Sequence, residues 1–198
     1  AQFRRQRQMC IRDSGHTALH QPSNSLTYQI GNLPIFAKYI NQKVVCDFRV
    51  QDLELGGQGA PLVPVGEKYL FPEFDTLINL GGFANITKKI KNNLIAYDIC
   101  PINIIFNHLS RIIKLEYDDK GDIASSGNIN KDLYNYLQRL DYYKLDPPKS
   151  LGIEWVNNYV YSILKNFNNI SIKDLMNTFS NHFAFQIAKN IGEQDQVL

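Results

Sequence analysis

One aspartate, Asp98, lies where an apolar segment gives way to a sequence that favours a helix. The letters LIAYDI predict a strand, and Pro101 predicts the opening of an amphipathic helix. Ligands usually bind at the edge of an open sheet where strands end, and a carboxylate there can act as a general base. The alternative is that Asp98 only caps the helix. Spacing by itself leaves both interpretations open.

A second polar residue, Arg49, lies in the segment DFRVQDLELGGQGAPLVP, whose glycines and prolines predict a long irregular loop. A guanidinium group suits carboxylate or phosphate oxygens. The alternative is a salt bridge to Asp47 or Asp52 that merely fastens the loop. In the same loop, Gly57 and Gly59 either let the backbone approach a substrate or only supply positive φ angles.

Two more groups of residues lie beside predicted strands. Gly81 and Gly82 form a turn in which backbone amides can face a phosphate, with a plain two-stranded turn as the alternative. His16, Thr17 and His20 in GHTALHQP form either a hydrogen-bonded core cluster or the edge of a sugar site.

The elements that position these residues follow from the hydrophobic periodicity. Residues 26–30 and 44–48 predict strands, with a helix ending at residue 40 between them. The segments TLINL, ANITKKI and LIAYDI predict an antiparallel meander that leads into helices. The helix opened by Pro101 would bury one apolar face, consisting of Ile102, Ile105, Phe106, Leu109, Ile112 and Ile113.

The last part of the chain predicts a helix followed by a strand. Ser171 would start the helix, whose apolar stripe consists of Ile172, Leu175, Met176, Phe179, Phe183 and Ile187. After a charged turn, Val197 and Leu198 predict the first residues of a strand.

Composition and charge exclude several classes of function. At 198 residues and 44% hydrophobic content, the chain can bury a core, yet no apolar run approaches the ~20 residues that span a bilayer. The net charge of +2 comes from arginines among residues 1–13, so no nucleic-acid partner is expected. Three cysteines without short spacing favour a reducing cytoplasm and predict no metal site.

Taken in order, six segments resemble the successive motifs of the anhydro-N-acetylmuramic acid kinase family. They are GHTALHQP, TYQIGN, VCDFRVQDLELGGQGAPLVP, INLGGFANIT, AYDICPIN and PPKSLGIEW. The resemblance implies an α/β chain of the actin and sugar-kinase (ribonuclease H-like) fold, two-lobed, of which this chain is the central part. Residues 1–13 would be a non-native or disordered leader, 14–74 the end of the first lobe with its substrate loop, and 75–198 the start of the second lobe, truncated at its C-terminus.

The same resemblance implies a cytoplasmic enzyme of peptidoglycan recycling. It would use ATP and Mg²⁺ to open the 1,6-anhydro ring of anhydro-N-acetylmuramic acid and phosphorylate the 6-oxygen, giving N-acetylmuramic acid 6-phosphate. Asp98 would be the general base for the attacking water. The other implied contacts are, for the sugar, Arg49, His16, Thr17, Gly57 and Gly59, and, for the nucleotide phosphates, Gly81, Gly82 and Asn85. No metal-ligating residue, nucleic acid or membrane is implied, and a homodimer is compatible with the resemblance.

The sequence also departs from the family pattern. Where the family commonly reads Asp-Thr-Gly-Pro-Gly-Asn, this chain has Ile99, Cys100 and Ile102 in place of the threonine and both glycines. The family's phosphate loop and later glutamate lie outside the 198 residues, so the chain alone is expected to be inactive. The alternative is a non-catalytic sugar- or protein-binding module of the same fold.

Overall fold

The computed structural model describes residues 11–12, 15–21, 24–31, 35–60, 62–91 and 93–198. The chain divides into two compact units, Ala1–Leu62 and Val63–Leu198. The predicted leader lies outside the described residues except for Ile11–Arg12, which form a short strand. The unit boundary falls before the lobe boundary predicted at residue 74, and the assignment of residues to lobes stays a prediction.

In the described residues of the first unit there are two small sheets and two short helices. Strand β2 pairs with β3 antiparallel, and β1 pairs with β4 parallel. The elements are β1 (Ile11–Arg12), β2 (His16–Gln21), β3 (Leu26–Ile30), α1 (Ile35–Ile40), β4 (Val44–Val45) and α2 (Phe48–Glu54). The strand predicted at 26–30 and the helix ending at residue 40 are confirmed, whereas the strand predicted at 44–48 is only two residues long.

The prediction of an irregular loop after residue 46 is wrong for its first part, because Phe48–Glu54 form helix α2. These seven residues, FRVQDLE, contain neither glycine nor proline, so nothing in them opposes a helix. The helix ends where the glycines begin, at Leu55 and then Gly56, whose φ of 88° is available to glycine at little cost. Glycine therefore limits the helix and does not abolish it.

The second unit is a three-stranded meander packed against helices. Its sheet consists of β5 (Thr76–Leu80), β6 (Phe83–Ile90) and β7 (Asn93–Pro101), preceded by α3 (Pro64–Leu70). The α-helical segments that follow are α4 (Asn103–Ile112), α5 (Asp122–Ser125), α6 (Lys131–Gln138), α7 (Ile153–Trp155), α8 (Ser162–Leu164) and α9 (Ile172–Lys189). A π-helical segment, Val156–Tyr161, joins α7 to α8, and Asp141–Lys144 form a 3₁₀ turn. The predicted meander is confirmed.

The end of the chain adds to the sheet beside β5. Val197 forms a parallel bridge with Thr76, and the amide of Ile78 donates to the carbonyl of Leu198 at 2.9 Å. The strand predicted to begin at Val197 and Leu198 is thus confirmed as a pairing. It makes the sheet mixed, with antiparallel strands on one side of β5 and a parallel one on the other.

Helix α4 differs from its prediction at both ends. It begins at Asn103 because β7 continues through Pro101, and β7 is an outer strand of the meander, where a residue without an N–H donor is tolerated. Ile105 and Leu109 are fully buried, as predicted, but Ile112 and Ile113 are exposed because the helix ends there. The predicted apolar face is therefore correct over its first two turns only.

The final helix is confirmed as α9, which packs against α4, α5, α6 and strand β7. Its N-cap is Ser171, whose hydroxyl accepts a hydrogen bond from the amide of Asp174 at 3.3 Å. Four residues of the predicted stripe are buried, namely Leu175, Met176, Phe179 and Phe183. Among the helices described, none has the length and apolar character required to cross a membrane.

Helix α9 also places His182 inside the core. The side chain is 0% exposed, and neither ring nitrogen has a hydrogen-bond partner among the residues that the structure describes. Aromatic rings surround it, with the centroid of Tyr143 at 5.0 Å and that of Tyr134 at 6.4 Å. Burial lowers the pKa of His182 from 6.5 to about 3, so the folded chain keeps this imidazole neutral.

We predict that this histidine destabilises the fold in acid. Below pH 6.5 the unfolded chain binds a proton at His182, while the folded chain does not until its pKa of about 3. Stability is therefore lost as pH falls, by about 1.4 kcal/mol per pH unit between these two values. When the free energy of unfolding is measured in urea, its decrease from pH 7.5 to pH 5.0 should be about 2 kcal/mol smaller in His182→Phe than in the unsubstituted chain. Equal losses in the two proteins would contradict the assignment.

Candidate functional site

Asp98 lies inside strand β7 and is 8% exposed. Across the sheet it faces Asn85 of β6, and a β-bulge beside this pair leaves Ile99 between Asp98 and Cys100 without a partner in the register. Bulges of this kind often lie beside functional sites because they redirect a side chain. The structure thus brings together two residues assigned separately by the resemblance, the base Asp98 and the phosphate-facing Asn85.

The main chain and carboxylate of Asp98 are held by the segment that follows α6. The backbone amide of Asp98 donates to the carbonyl of Lys149 at 3.0 Å, and the amide of Leu151 donates to Oδ2 of the carboxylate at 2.8 Å. The hydroxyl of Tyr142 donates to the carbonyl oxygen of Asp98 at 2.6 Å. These bonds fix the carboxylate, since a buried carboxylate requires donors to replace water.

The alternative that Asp98 caps helix α4 is wrong. The N-cap of α4 is Ile102, and no side chain forms its cap hydrogen bond. The amide of Ile102 instead donates to the carbonyl of Gly82 at 2.8 Å. The amides of Asn103 and Ile104 likewise donate to the carbonyls of Gly81 and Gly82, so the glycine turn supplies the acceptors at the start of the helix.

The turn between β5 and β6, Gly81–Gly82, lies at the N-terminus of α4. The side chain of Asn103 donates to the carbonyl of Gly81 at 2.9 Å, while the amide of Gly81 donates to the carbonyl of Phe83 at 3.2 Å. Gly82 is exposed, and no described atom lies within 4 Å of the position its Cβ would take. A ligand can therefore approach the backbone at Gly82 more easily than at Gly81.

A cavity of about 710 Å³ begins beside this turn. Asn103 both lines the cavity and binds Gly81, which connects the two features. The remaining walls carry amide, hydroxyl, aromatic and small side chains, including Phe106, Tyr117 and Asn177, together with one carboxylate, that of Asp118. Such a mixture of planar apolar surface and amide groups suits an uncharged heterocycle with hydroxyl groups.

In the first unit, Arg49 lies in α2 and not in the loop that the sequence predicted. Its Nη1 donates to the carbonyl of Gly59 at 2.7 Å, and Oδ2 of Asp52 accepts from the amide of Gly59 at 2.7 Å. Among the described residues, no salt bridge joins Arg49 to Asp52. Both side chains fasten the loop as the alternative required, but they do so through Gly59. The Nε of Arg49 is buried without a hydrogen-bond partner in the described part of the chain.

Gly57 and Gly59 differ in their backbone conformation and in the space available for a Cβ atom. Gly59 has a φ of 69°, and a Cβ there would lie 3.4 Å from Cε1 of His20. Gly57 has no positive φ, but a Cβ would lie 2.1 Å from Oδ2 of Asp52. The loop therefore approaches β2 closely at Gly59, and Gly57 leaves room for the Asp52 carboxylate.

The polar residues of β2 belong to a hydrogen-bonded layer across β2 and β3. Gln29 Nε2 donates to the hydroxyl of Thr27 at 2.7 Å and lies 3.5 Å from that of Thr17, while Nδ1 of His20 lies 3.2 Å from Thr27. This favours the core-cluster interpretation for Thr17 and His20. His16 is exposed at the start of β2 and is not part of this layer.

Sequence reasoning missed Tyr142, Lys149 and Leu151 as neighbours of Asp98. The segment PPKSLGIEW resembles a family motif, but the resemblance gives it no role at Asp98. Tyr142 is 44 residues from Asp98 in the chain, and Leu151 is 53. No periodicity predicts contacts at such a separation, and one of them comes from a backbone amide.

The metal prediction also concerns side-chain clusters. In the parts of the chain that the structure describes, no three His, Cys, Asp or Glu side chains are grouped to hold a metal ion. The sequence assigned no metal ligand, and the use of Mg²⁺ is part of the proposed function.

Comparison with known proteins settles the family. A family model described as anhydro-N-acetylmuramic acid kinase matches residues 2–197. The chain belongs to this family. Its mixed α/β architecture agrees with the actin-like sugar-kinase fold of the family, while the two-lobed arrangement stays a prediction.

Individual relatives carry the same name. Anhydro-N-acetylmuramic acid kinase of Bacillus cereus (strain ATCC 10987 / NRS 248) is 34% identical over 197 residues, covering 92% of this chain and 51% of the relative. The protein of that name from Bacillus thuringiensis (strain Al Hakam) is 35% identical over 182 residues, covering 85% of this chain and 47% of the relative. The chain thus spans about half the length of the curated relatives it matches.

The contact between Gly57 and Asp52 yields a test of the first unit. Gly57→Ala should displace the Asp52 carboxylate, leaving the buried amide of Gly59 without its acceptor, at a cost of about 1–3 kcal/mol in unfolding free energy. Urea unfolding and the rate of proteolysis in the loop measure this effect. The control is Gly66→Ala in α3, where no described atom lies within 4 Å of the new Cβ, and stability should be unchanged or slightly raised. Equal behaviour of the two variants would contradict the packing described.

Proposed function

We propose that the chain is the base-bearing and sugar-contacting part of an ATP-dependent kinase for anhydro-N-acetylmuramic acid. The enzyme opens the 1,6-anhydro ring and phosphorylates the 6-oxygen, giving N-acetylmuramic acid 6-phosphate in peptidoglycan recycling. The observation that carries the proposal is the buried carboxylate of Asp98, fixed by a backbone amide and facing Asn85 across the sheet. Family membership supplies the substrate class.

In the proposed reaction, Asp98 takes a proton from the water that attacks the anomeric carbon. The bond from that carbon to the bridging oxygen breaks, and the oxygen remains on C6 and becomes the phosphoryl acceptor. Water is a poor nucleophile until a positioned carboxylate removes its proton, and such assistance contributes roughly 10²- to 10⁴-fold. The amide of Leu151 at Oδ2 contributes by holding the carboxylate in one orientation.

The sugar contacts of the proposal are Arg49, His16, Thr17, Gly57 and Gly59. Arg49 uses Nη1 on Gly59, and a guanidinium has five N–H donors, so the bond to Gly59 occupies only one of them. A carboxylated sugar could therefore bind Arg49 without releasing the loop. Thr17 acts more indirectly, through its hydrogen bond with Gln29, and Gly59 acts by fixing the loop.

The nucleotide contacts of the proposal are Gly81, Gly82 and Asn85. The open space at Gly82 supports a phosphate at its backbone, and the cavity beside Asn103 offers room for the nucleoside. ATP, when bound, supplies the phosphoryl group, with Mg²⁺ offsetting the phosphate charge. Mg²⁺ often needs only one or two carboxylates besides phosphates and water.

Two further elements complete the proposal. The reaction is placed in the cytoplasm, where ATP is available, and a homodimer remains compatible with it. Because the chain spans about half the length of its relatives, we expect it to need the rest of the family's nucleotide site for turnover. The alternative is a non-catalytic sugar- or protein-binding module of the same fold, and it is motivated by Ile99, Cys100 and Ile102 in the motif after Asp98.

Turnover is best measured in a chimera in which this chain replaces the matching segment of the Bacillus cereus relative. Asp98→Asn in the chimera should lower kcat by roughly 10²- to 10⁴-fold and leave sugar binding nearly unchanged, because only proton removal is lost. Asp174→Asn is the control, since Asp174 also accepts a backbone amide, that of Asn128 at 2.7 Å, outside the site. A chimera that binds the sugar without turnover would support the binding module instead, and normal turnover by Asp98→Asn would refute the general base.

The substitution Gly82→Ala tests for a phosphate contact without disturbing the fold. A Cβ at Gly82 meets no described atom within 4 Å, and the φ is not positive, so the fold should tolerate alanine. If the backbone here faces a phosphate, the methyl group should raise the KM for ATP about tenfold or more while the melting temperature stays constant. The sugar KM serves as the internal control. An unchanged KM for ATP would remove Gly82 from the proposed phosphate contacts.

A further inference from the structure

Strand β7 is the outer strand of the described meander, and it pairs with β6 on one side only. On its other side, at the level of Asp98, it is met by residues 149–151 in place of a further strand. An unpaired strand edge has backbone N–H and C=O groups without partners, so the backbone of Asp98 would be free to shift. What occupies this edge therefore affects where the carboxylate lies.

We propose that Tyr142 is a positioning residue for Asp98, and that Lys149 locks Tyr142 in place. The inference rests on the proposed function for its kinetic consequence, but the geometry is independent of it. Tyr142 is 6% exposed, and its hydroxyl donates to the backbone carbonyl of Asp98 at 2.6 Å. The bond is made to the residue that carries the base and not to a neighbour, so its loss acts directly on Asp98.

Lys149 contacts both members of this pair. Its Nζ donates to the carbonyl of Tyr142 at 3.2 Å and to that of Leu145 at 2.9 Å, and it lies 4.9 Å from the centroid of the Tyr142 ring. Its own carbonyl accepts the amide of Asp98 at 3.0 Å. One lysine thus holds the tyrosine and closes the strand edge, with a cation over the aromatic ring adding stabilisation.

The aromatic neighbours of Tyr142 restrict its ring further. The centroid of Trp155 lies at 5.5 Å and that of Tyr143 at 5.8 Å. Burial, and secondarily the charge of Asp98, raises the pKa of the Tyr142 hydroxyl far above its ordinary value of 10. The hydroxyl therefore stays protonated and remains a hydrogen-bond donor throughout the pH range in which the enzyme would work. This property suits a positioning role and not a role in proton transfer.

The neighbouring tyrosine provides a matched control. Tyr143 is 9% exposed and also adjoins Trp155, but it makes none of the hydrogen bonds described for Asp98. Tyr142→Phe and Tyr143→Phe remove the same hydroxyl group from equally buried neighbours. A role in general packing predicts similar effects of the two changes, whereas a role in positioning predicts different ones.

In the chimera, Tyr142→Phe should lower kcat by about 10- to 100-fold with the sugar KM nearly constant, because small misplacements of a catalytic group are costly. Tyr143→Phe should retain most of kcat. Lys149→Met, which removes the donors and keeps the length of the side chain, should lower kcat in the same direction. Equal kcat in Tyr142→Phe and the unsubstituted chimera would overturn the proposal, as would equal losses in both tyrosine variants.

Amide hydrogen exchange in the 198-residue chain tests the geometry without turnover. Tyr142→Phe should speed exchange at the amides of Asp98 and Leu151 about tenfold, while exchange at the buried core residues Ile86 and Leu109 stays constant. Tyr143→Phe should leave the exchange at Asp98 unchanged. Unaltered exchange at Asp98 in Tyr142→Phe, or faster exchange throughout the core, would overturn the proposal. If the unsubstituted chimera has no turnover, the proposed function fails, and exchange alone decides the positioning role.

Discussion

A buried carboxylate in the second unit depends on a hydrogen bond from a distant backbone amide. Water solvates a carboxylate strongly, so Asp98 at 8% exposure needs replacement donors, and the amide of Leu151 at 2.8 Å is one. That amide is in place only when residues 149–151 lie against β7. The sheet, the tyrosine-rich turn and the helices that cover it thus combine to support one side chain.

The Gly81–Gly82 turn is also held in place by hydrogen bonds from a neighbouring element. The carbonyl groups of Gly81 and Gly82 accept hydrogen bonds at the start of α4, which satisfies the first donors of the helix. The turn is thereby fixed with Gly82 exposed, and Asn85 follows it on the strand that pairs with Asp98. In the first unit, hydrogen bonds fix Gly59 in a similar way, because Arg49 binds its carbonyl and Asp52 binds its amide.

The sequence predicted those features that depend on local periodicity. The meander, the start of α9 at Ser171 and the pairing of Val197 all follow from apolar spacing and capping residues. Helix α2 was missed because the glycines of a longer segment outweighed seven residues that favour a helix. The partners of Asp98 could not be predicted, since they lie 44 and 53 residues away and one is a main-chain group. Site roles came from the resemblance, and they stay predictions.

The most direct measurement of the central claim is a crystal structure of the chimera carrying Asp98→Asn, with the intact anhydro sugar bound. The account predicts a water within about 3.2 Å of the side chain at position 98, on the face of the anomeric carbon opposite the bridging oxygen. A sugar bound with its anomeric carbon turned away from position 98 would contradict the account.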